Sequence, residues 1–468
     1  MNERPEPKKA SLGQALAVIA FLVIILSVSL LLFGADPHIP LIMATIVAAL
    51  IGVISLGYTW SDLEEAMIQS IGMAMQAVII LMIIGSVIGT WILSGTVPSM
   101  IYYGLQILSP GIFLFATAVI CSIVSLSTGS SWTTAGTVGI ALLGVGIGLG
   151  IPVGMVAGAI VSGAYFGDKI SPLSDTTNLA PAMAGSNLFD HIRSMIYTTI
   201  PALIISLILY AILGTRYAGQ QLNVEEINMM LTTLGEQFNI SLLLFIPPIV
   251  VIAIVIMRVP AIPGLMGGVV LGGIFAMIFQ GAALGDIIDA AHYGYYMESG
   301  YEIVDDLLSR GGLDGMMWTI SLILIALCLG GVLEKTGMLH AVGDFILQFA
   351  KGTGSLITAT ILTCFAVNLL AGEQYIAIVV PGRMYRDTYK EKGIDPKILS
   401  RALEGGGTVT SALIPWNTCG AYMWGTLGVH PFVYAPYAFL NYLTPLVNIV
   451  YGFTGWTIDR TEPTETSS

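Results

Sequence analysis

Charged residues are scarce in this 468-residue chain, where Asp, Glu, Lys and Arg together make up 10% of the positions and hydrophobic residues 55%. Soluble globular proteins carry about a quarter charged residues, so the composition excludes a water-soluble enzyme and a disordered chain. Basic residues are the scarcer sign, 17 against 29 acidic ones, which leaves no basic surface for nucleic acid. The sequence therefore predicts a helical membrane protein.

Cysteine and the common catalytic motifs are also scarce. The four cysteines lie far apart, and no pair has the spacing of a disulfide framework or of a zinc site. No phosphate-binding loop, dinucleotide fingerprint or Ser-His-Asp order occurs. We therefore expect no enzymatic activity and no cofactor. The first apolar run, from about Ala15 to Phe33, is too long for a secretory signal core and is expected to remain as a membrane span.

Eight apolar stretches have about the 20 residues that a helix needs to cross the hydrocarbon of a bilayer. They lie near residues 14–34, 38–57, 71–93, 195–214, 241–257, 261–281, 314–334 and 435–456. Two longer regions, 105–194 and 353–432, are apolar but rich in Gly, Pro, Ser, Thr and carboxylates. Because non-helical backbone inside a membrane must be buried in protein or line a cavity, we expect the functional site in these two regions.

The two interrupted regions belong to a weak internal repeat with an offset of about 240 residues. Gly129–Trp132 falls on Gly372–Tyr375, and Gly167 falls on Gly407. Lys and Arg residues crowd between Arg383 and Arg401, which the positive-inside tendency places in the cytoplasm. We therefore predict an all-α polytopic membrane protein of two inverted repeats, each with five spans plus one re-entrant hairpin, and with discontinuous helices at the midplane, as in many secondary transporters.

The predicted domain boundaries follow from this repeat. A cytoplasmic tail (1–13) precedes the first inverted repeat (14–214), which contains a hairpin (108–150) and a broken helix (152–194). A linker loop (215–240) leads to the second inverted repeat (241–456), with a hairpin (353–384) and a broken helix (398–432), and a cytoplasmic tail (457–468) ends the chain. We expect the protein in the inner (plasma) membrane with both termini in the cytoplasm.

Oxygen-bearing side chains concentrate at the predicted break in the first half. The candidate cation- and proton-binding residues there are Asp168, Ser171, Ser174, Asp175, Thr176 and Asn178. Such oxygens are hard ligands that suit an alkali cation. Asp168 and its neighbour Lys169 are expected to neutralise each other in part. Asp175 has no such neighbour, so we favour it as the exchanging group; the alternative is an interfacial loop with solvated carboxylates.

The second half supplies the opposing ligands. Its candidates are Glu373, Asn417 and Thr418, while the two hairpin tips add Ser130, Ser131, Trp132, Thr133 and Gln374. We predict that Na⁺ binds at Asp175 and Glu373 in competition with H⁺. Glu404 is expected to pair with Arg401 or Arg383 instead. Lys169 and Arg383 are the candidate contacts for an organic anion, since a carboxylate cargo needs positive charge.

Three strings resemble the NhaC-type sodium/proton antiporters of bacteria: STGSSWTTAGTVGIAL (127–142), GAYFGDKISPLSDTTNLAPA (163–182) and WNTCGAYM (416–423). The resemblance implies export of Na⁺ in exchange for H⁺ by alternating access, driven by the proton gradient. The same family includes malate/lactate exchangers, so a malate-proton/sodium-lactate antiporter is the alternative, with malate and lactate as further cargo. The wider group of ion transporters implies a homodimer in the lipid bilayer. A passive ion channel is a third, less favoured interpretation.

Overall fold

The computed structural model describes residues 7–218 and 224–461, and these residues form 25 α-helices, short π- and 3₁₀-helical segments and no β-strand. Nine of the described helices are long and apolar enough to cross a membrane, and the count reaches ten if the bent pair Glu225–Gln237 and Leu242–Ile256 forms one span. The prediction of an all-α polytopic membrane protein is confirmed.

The helices of the first half run from the amino terminus to the region of the predicted linker. They are α1 (Leu12–Leu32), α2 (His38–Ile51), α3 (Trp60–Leu93), α4 (Thr96–Ile107), α5 (Pro110–Thr128), α6 (Ser131–Thr134), α7 (Ile140–Gly148), α8 (Val153–Ile170), α9 (Asp175–Ala184) and α10 (Leu188–Ala218). Two π-helical segments continue α2 and join α6 to α7, namely Gly52–Leu56 and Ala135–Gly139.

The helices of the second half are more numerous because several are short. They are α11 (Val224–Gln237), α12 (Ile246–Ile256), α13 (Ala261–Phe275), α14 (Leu284–Tyr293), α15 (Glu302–Leu308), α16 (Gly312–Gly315), α17 (Met317–Lys335), α18 (Met338–Leu347), α19 (Thr353–Ala371), α20 (Gln374–Glu391), α21 (Pro396–Leu403), α22 (Val409–Ser411), α23 (Thr418–Leu427), α24 (Pro431–Tyr434) and α25 (Phe439–Thr454). Their π- and 3₁₀-helical segments are Leu242–Phe245, Ala276–Gln280, Glu404–Thr408 and Ala435–Tyr437.

All eight predicted apolar stretches are helical, but two belong to longer helices. The stretch 71–93 is part of α3, which begins at Trp60 because Thr59 caps it. The Asp62 carboxylate accepts the Thr59 N–H at 2.8 Å, and the Thr59 hydroxyl accepts the Asp62 N–H at 3.2 Å, the reciprocal pair of a capping box. The stretch 195–214 likewise belongs to α10.

Most of the predicted linker loop, residues 215–240, is helical instead. The helix α10 continues to Ala218 and α11 occupies most of the remainder, while residues 219–223 lie outside the described part of the chain. Met230 and Leu234 are buried and lie four residues apart, so they give α11 one packing face. Within the predicted tail 457–468, Asp459 lies 2.7 Å from the Lys397 ammonium; residues 462–468, like residues 1–6 of the other tail, are outside the described ranges.

The two predicted hairpin tips have the same backbone geometry. Gly129 (φ 70, ψ 20) ends α5 and Gly372 (φ 67, ψ 18) ends α19. The next residue in each case is an extended N-cap, Ser130 (φ −144, ψ 117) and Glu373 (φ −145, ψ 129). Glycine adopts the left-handed conformation without a Cβ penalty, so each tip ends one helix and starts the next within two residues.

The two broken helices also match each other, at a corrected register. The N-cap of α9 is Ser174 (φ −74, ψ 138), and that of α23 is Asn417 (φ −74, ψ 145). Residue numbers 174 and 417 differ by 243, as do 129 and 372. The sequence alignment with Gly167 on Gly407 was therefore three residues out of register with the backbone.

Gly167 lets α5 and α8 pack with their backbones in contact. A Cβ at Gly167 would lie 2.0 Å from Leu126 N and 2.4 Å from Ser125 C, and backbone atoms cannot move aside as a flexible side chain does. Overpacking of a core costs about 1–3 kcal/mol, so Gly167→Ala should lower the thermal unfolding temperature in detergent by several degrees. Gly72→Ala is the control, because a Cβ there meets no atom of the described residues within 4 Å. Equal unfolding temperatures for the two variants would contradict this packing argument.

Candidate functional site

A cavity of about 850 Å³ lies where the two hairpin tips meet the first broken helix. Residues of both halves line it: Thr128–Trp132 and Glu373–Tyr375 from the tips, Asp168 and Pro172–Thr176 from the first break, Thr418 from the second, and Gln76 of α3. Three carboxylates therefore face one space among apolar spans. A charge at bilayer depth costs about 2.5–3.5 kcal/mol even on insertion scales, which makes this cavity the candidate site.

Most of the predicted site residues are brought together here. Those that line the cavity are Ser130, Ser131, Trp132, Asp168, Ser174, Asp175, Thr176, Glu373, Gln374 and Thr418. Others shape the breaks behind it: the Asn178 amide donates to the Pro172 carbonyl at 3.0 Å, and the Asn417 amide donates to Asn368 Oδ1 at 3.0 Å. Ser171, Thr133 and Lys169 are absent from the lining, and Arg383 is exposed on α20.

Asp168 is held in the cavity by two hydroxyl groups. Its Oδ2 accepts a hydrogen bond from Ser131 Oγ at 2.5 Å, and its Oδ1 accepts one from Ser174 Oγ at 2.6 Å. The residue is 8% exposed. Because Ser131 is the first residue of α6 and Ser174 is the residue just before α9, the Asp168 side chain ties the first hairpin tip to the first break.

The expected neutralisation of Asp168 by Lys169 is wrong. Successive residues of a helix point about 100° apart, so the two side chains leave α8 in different directions. Lys169 Nζ is buried and has no hydrogen-bond partner in the described part of the chain. It points toward the π-helical segment of the second half, where a Cβ on Gly405 would lie 3.8 Å from it.

Asp175 lies at the exposed side of the cavity, at the first residue of α9. The positive end of the helix dipole stabilises a carboxylate at this position. Its Oδ2 accepts a hydrogen bond from the Tyr375 hydroxyl at 3.4 Å. That contact joins the first broken helix to the second hairpin.

Glu373 faces the same cavity from the second half and is 2% exposed. It caps α20, because its Oε2 accepts the N–H of Tyr375 at 2.5 Å and the N–H of Ile376 at 3.0 Å. The N–H of Thr418 donates to the Gly372 carbonyl at 2.8 Å. The second hairpin tip is thereby fixed to the second break, as Asp168 fixes the first.

Glu404 does not pair with either arginine. Arg401 Nε donates to Asn448 Oδ1 at 3.2 Å, and Arg383 is exposed. Glu404 Oε1 instead accepts a hydrogen bond from Thr176 Oγ1 at 3.0 Å. The sequence favoured this pair because Arg401 and Glu404 lie one helical turn apart. The expectation is wrong because the Arg401 side chain packs against α25 instead.

Sequence reasoning missed three polar side chains that line the cavity: Gln76, Arg258 and Tyr375. Gln76 is a lone amide within an apolar span, and this isolation in the sequence could have indicated that it belongs to the site. Arg258 follows α12 with a left-handed backbone (φ 65), an uncommon conformation for a residue other than glycine. Nothing in its local sequence indicates that it turns toward the site.

The helical fold and the carboxylate-lined cavity define the class of protein, a polytopic membrane transporter. The Na⁺/H⁺ antiporter family matches over residues 163–456. The chain is 41% identical over 454 residues to the Na⁺/H⁺ antiporter NhaC of Alkalihalophilus pseudofirmus, covering 96% of each chain. The chain therefore belongs to the Na⁺/H⁺ antiporter family, as the resemblance predicted.

Two other relatives carry different names at similar identity. The malate-2H⁺/Na⁺-lactate antiporter of Bacillus subtilis is 39% identical, with 93% of this chain and 92% of that one covered. The arginine/ornithine antiporter ArcD of Halobacterium salinarum is 38% identical, with 98% of this chain and 95% of that one covered. Similarity of this degree thus spans proteins named for inorganic and for organic cargo.

Proposed function

We propose that the protein is a secondary antiporter that exports Na⁺ in exchange for H⁺ by alternating access. The observation that carries the proposal is the convergence of Asp168, Asp175 and Glu373 on one cavity built from both halves of the chain. Carboxylate, hydroxyl and amide oxygens suit a hard alkali cation. A carboxylate that binds either a cation or a proton, but not both, couples the two flows.

Within this cavity we assign the exchange to Asp168 rather than to Asp175. Asp168 is buried, and a buried carboxylate needs a cation, a proton or strong donors to offset the loss of hydration. The Ser131 and Ser174 hydroxyls can present lone pairs to a cation as well as hydrogens to the carboxylate. Gln374 Oε1 adds a buried acceptor without a hydrogen-bond partner in the described ranges. Asp175, at the exposed side, attracts cations toward the site.

The proposed architecture is two inverted repeats with both termini in the cytoplasm. Its support is the common offset of 243 residues between the hairpin tips and between the N-caps of the breaks. With five spans per repeat, an odd number, the second repeat is inverted relative to the first. The proposed homodimer and the assignment to the inner membrane rest on the family resemblance.

Exchange of malate and H⁺ for Na⁺ and lactate is the second candidate function. The observation in its favour is Arg258, an exposed cation on the cavity lining, since a guanidinium binds a carboxylate in a bidentate manner. The Arg383 contact expected from the sequence is outside the cavity, so Arg258 takes its place in this proposal.

Flux measurements in proteoliposomes test the two candidates. A sodium gradient should drive proton movement in the opposite direction with saturation in Na⁺, and the uptake of isotopic Na⁺ should be stimulated by Na⁺ on the far side. Flux without any organic acid supports Na⁺/H⁺ exchange. Flux only with malate on one side and lactate on the other supports the second candidate, and an unsaturable flux without stimulation by far-side Na⁺ indicates a channel.

A further inference from the structure

A chain of hydrogen-bonding groups leaves the cavity and ends at a buried carboxylate that does not line it. Ser174 Oγ donates to Asp168 Oδ1 at 2.6 Å and lies 3.2 Å from Thr176 Oγ1. Thr176 Oγ1 donates to Glu404 Oε1 at 3.0 Å. Glu404 is fully buried on the π-helical segment of the second half. Two carboxylates from opposite halves are therefore linked by two hydroxyl groups.

This series of hydrogen-bonding groups has one hydrogen fewer than it has contacts when both carboxylates are ionised. It has three contacts, and its two hydroxyls supply one hydrogen each. When both carboxylates are ionised, Ser174 donates to Asp168 and Thr176 donates to Glu404, so the contact between the two hydroxyl oxygens holds no hydrogen. One additional proton, on either carboxylate, gives every contact its hydrogen and aligns the chain in one direction.

We propose that Asp168 and Glu404 share one proton through Ser174 and Thr176, and that Glu404 is a second proton-binding residue of the exchange. The inference rests on the proposed Na⁺/H⁺ antiport. Asp168 passes its proton to Ser174 Oγ, while Ser174 passes its own hydrogen to Thr176 Oγ1 and Thr176 passes its own to Glu404 Oε1. Three O–H bonds break and three form, so one proton moves to Glu404 and one negative charge moves to Asp168.

Lys169 makes Glu404 an unfavourable final position for that proton. Lys169 Nζ and Glu404 Oε2 are both buried without a hydrogen-bond partner among the described residues, and the two charges attract each other. The other ionisable groups that act on this pair are Asp168, His191, Arg401 and Cys364. Protonated Glu404 leaves the Lys169 charge without compensation, which is costly in a buried site.

Cation binding therefore expels the proton instead of relocating it. Na⁺ at Asp168 requires that carboxylate to be ionised, which pushes the shared proton toward Glu404. Lys169 opposes retention of the proton on Glu404. The proton therefore leaves the hydrogen-bonded groups and returns only when Na⁺ has dissociated. This proton relay, formed by Asp168, Ser174, Thr176 and Glu404, thus makes the binding of Na⁺ and of H⁺ mutually exclusive, as antiport requires.

Thr176→Val tests the relay, because valine keeps the shape of threonine and removes the hydroxyl. Sodium-driven proton flux should fall at least about tenfold, the loss expected when a hydrogen bond to a charged group is removed. Exchange of isotopic Na⁺ for Na⁺ requires no proton transfer, so its loss should be clearly smaller than the loss of sodium-driven proton flux. Thr117→Val is the matched control, since the Thr117 hydroxyl is buried without a hydrogen-bond partner in the described part of the chain; both fluxes should persist.

Glu404→Gln combined with Lys169→Met removes both of these buried charges together. Like Thr176→Val, this double variant should reduce sodium-driven proton flux much more than the exchange of isotopic Na⁺ for Na⁺. Two results would overturn the relay: Thr176→Val that keeps both fluxes, or folded Thr176→Val that loses both equally, as a purely structural residue would. A wild type without sodium-driven proton flux refutes the proposed function instead. In that case infrared difference spectra test the relay separately. The band of the protonated carboxyl should disappear in Asp168→Asn and shift in Thr176→Val. An unchanged band refutes the relay.

Discussion

Asp168→Asn should reduce sodium-driven proton exchange by about 100-fold or more, while the protein still inserts and folds. Asparagine has the shape of aspartate but cannot bind a proton at this position or offset the charge of Na⁺. A hydrogen bond to a charged group contributes about 1.5–3 kcal/mol, and Asp168 accepts two, from Ser131 and Ser174. Initial rates of proton flux in proteoliposomes measure the loss.

Asp175→Asn is the matched comparison, because it makes the same chemical change at the exposed side of the same cavity. Exposed charges interact by about 0.2–1 kcal/mol, so the flux should fall only about twofold to fivefold. The deficit should shrink as the Na⁺ concentration rises, since Asp175 acts by attracting the cation. A larger loss for Asp175→Asn than for Asp168→Asn would return the exchanging role to Asp175.

Glu373→Gln should raise the Na⁺ concentration for half-maximal exchange about tenfold, the equivalent of about 1.4 kcal/mol. The substitution removes a charge that faces the cavity from the second half. Glutamine still has a carbonyl oxygen for the N–H groups of Tyr375 and Ile376, which Glu373 accepts as the N-cap of α20. The thermal unfolding temperature should therefore remain close to that of the wild type.

Glu373→Ala separates the two roles of this residue. It removes the charge and the cap together, and loss of an N-cap costs about 1 kcal/mol of stability. Ser130→Ala removes the corresponding cap of the first hairpin, where Ser130 Oγ accepts the Thr133 N–H at 3.1 Å, and should destabilise the protein by a similar amount. If Glu373→Gln leaves the Na⁺ dependence unchanged, Glu373 serves only as a cap.

The helices and their breaks could be predicted from the sequence because the membrane restricts the backbone severely. Apolar runs of about 20 residues must be helical in lipid, and positions such as Gly129 and Gly372, followed by oxygen-bearing side chains, mark the places where a helix stops inside the protein. The same reasoning found Asp168, Asp175 and Glu373, since carboxylates within apolar sequence require a role.

The arrangement of those residues could not be predicted, because neighbours in sequence are not neighbours in space. Asp168 and Lys169 are adjacent in the chain but face different parts of the molecule. Thr176 and Glu404 are 228 residues apart and share a hydrogen bond. Arg258 reaches the cavity through a left-handed backbone conformation that its local sequence does not indicate.

The matched breaks of the two halves have an evolutionary consequence. At the common offset of 243 residues, Ser130 corresponds to Glu373 and Asp168 to Ser411, so the matched positions of the two proposed repeats carry different chemistry. In an assembly of two identical subunits, every mutation alters both copies of a ligand at once. A single polypeptide with two different halves is free of that constraint, and its preference for one cargo over another can evolve one ligand at a time.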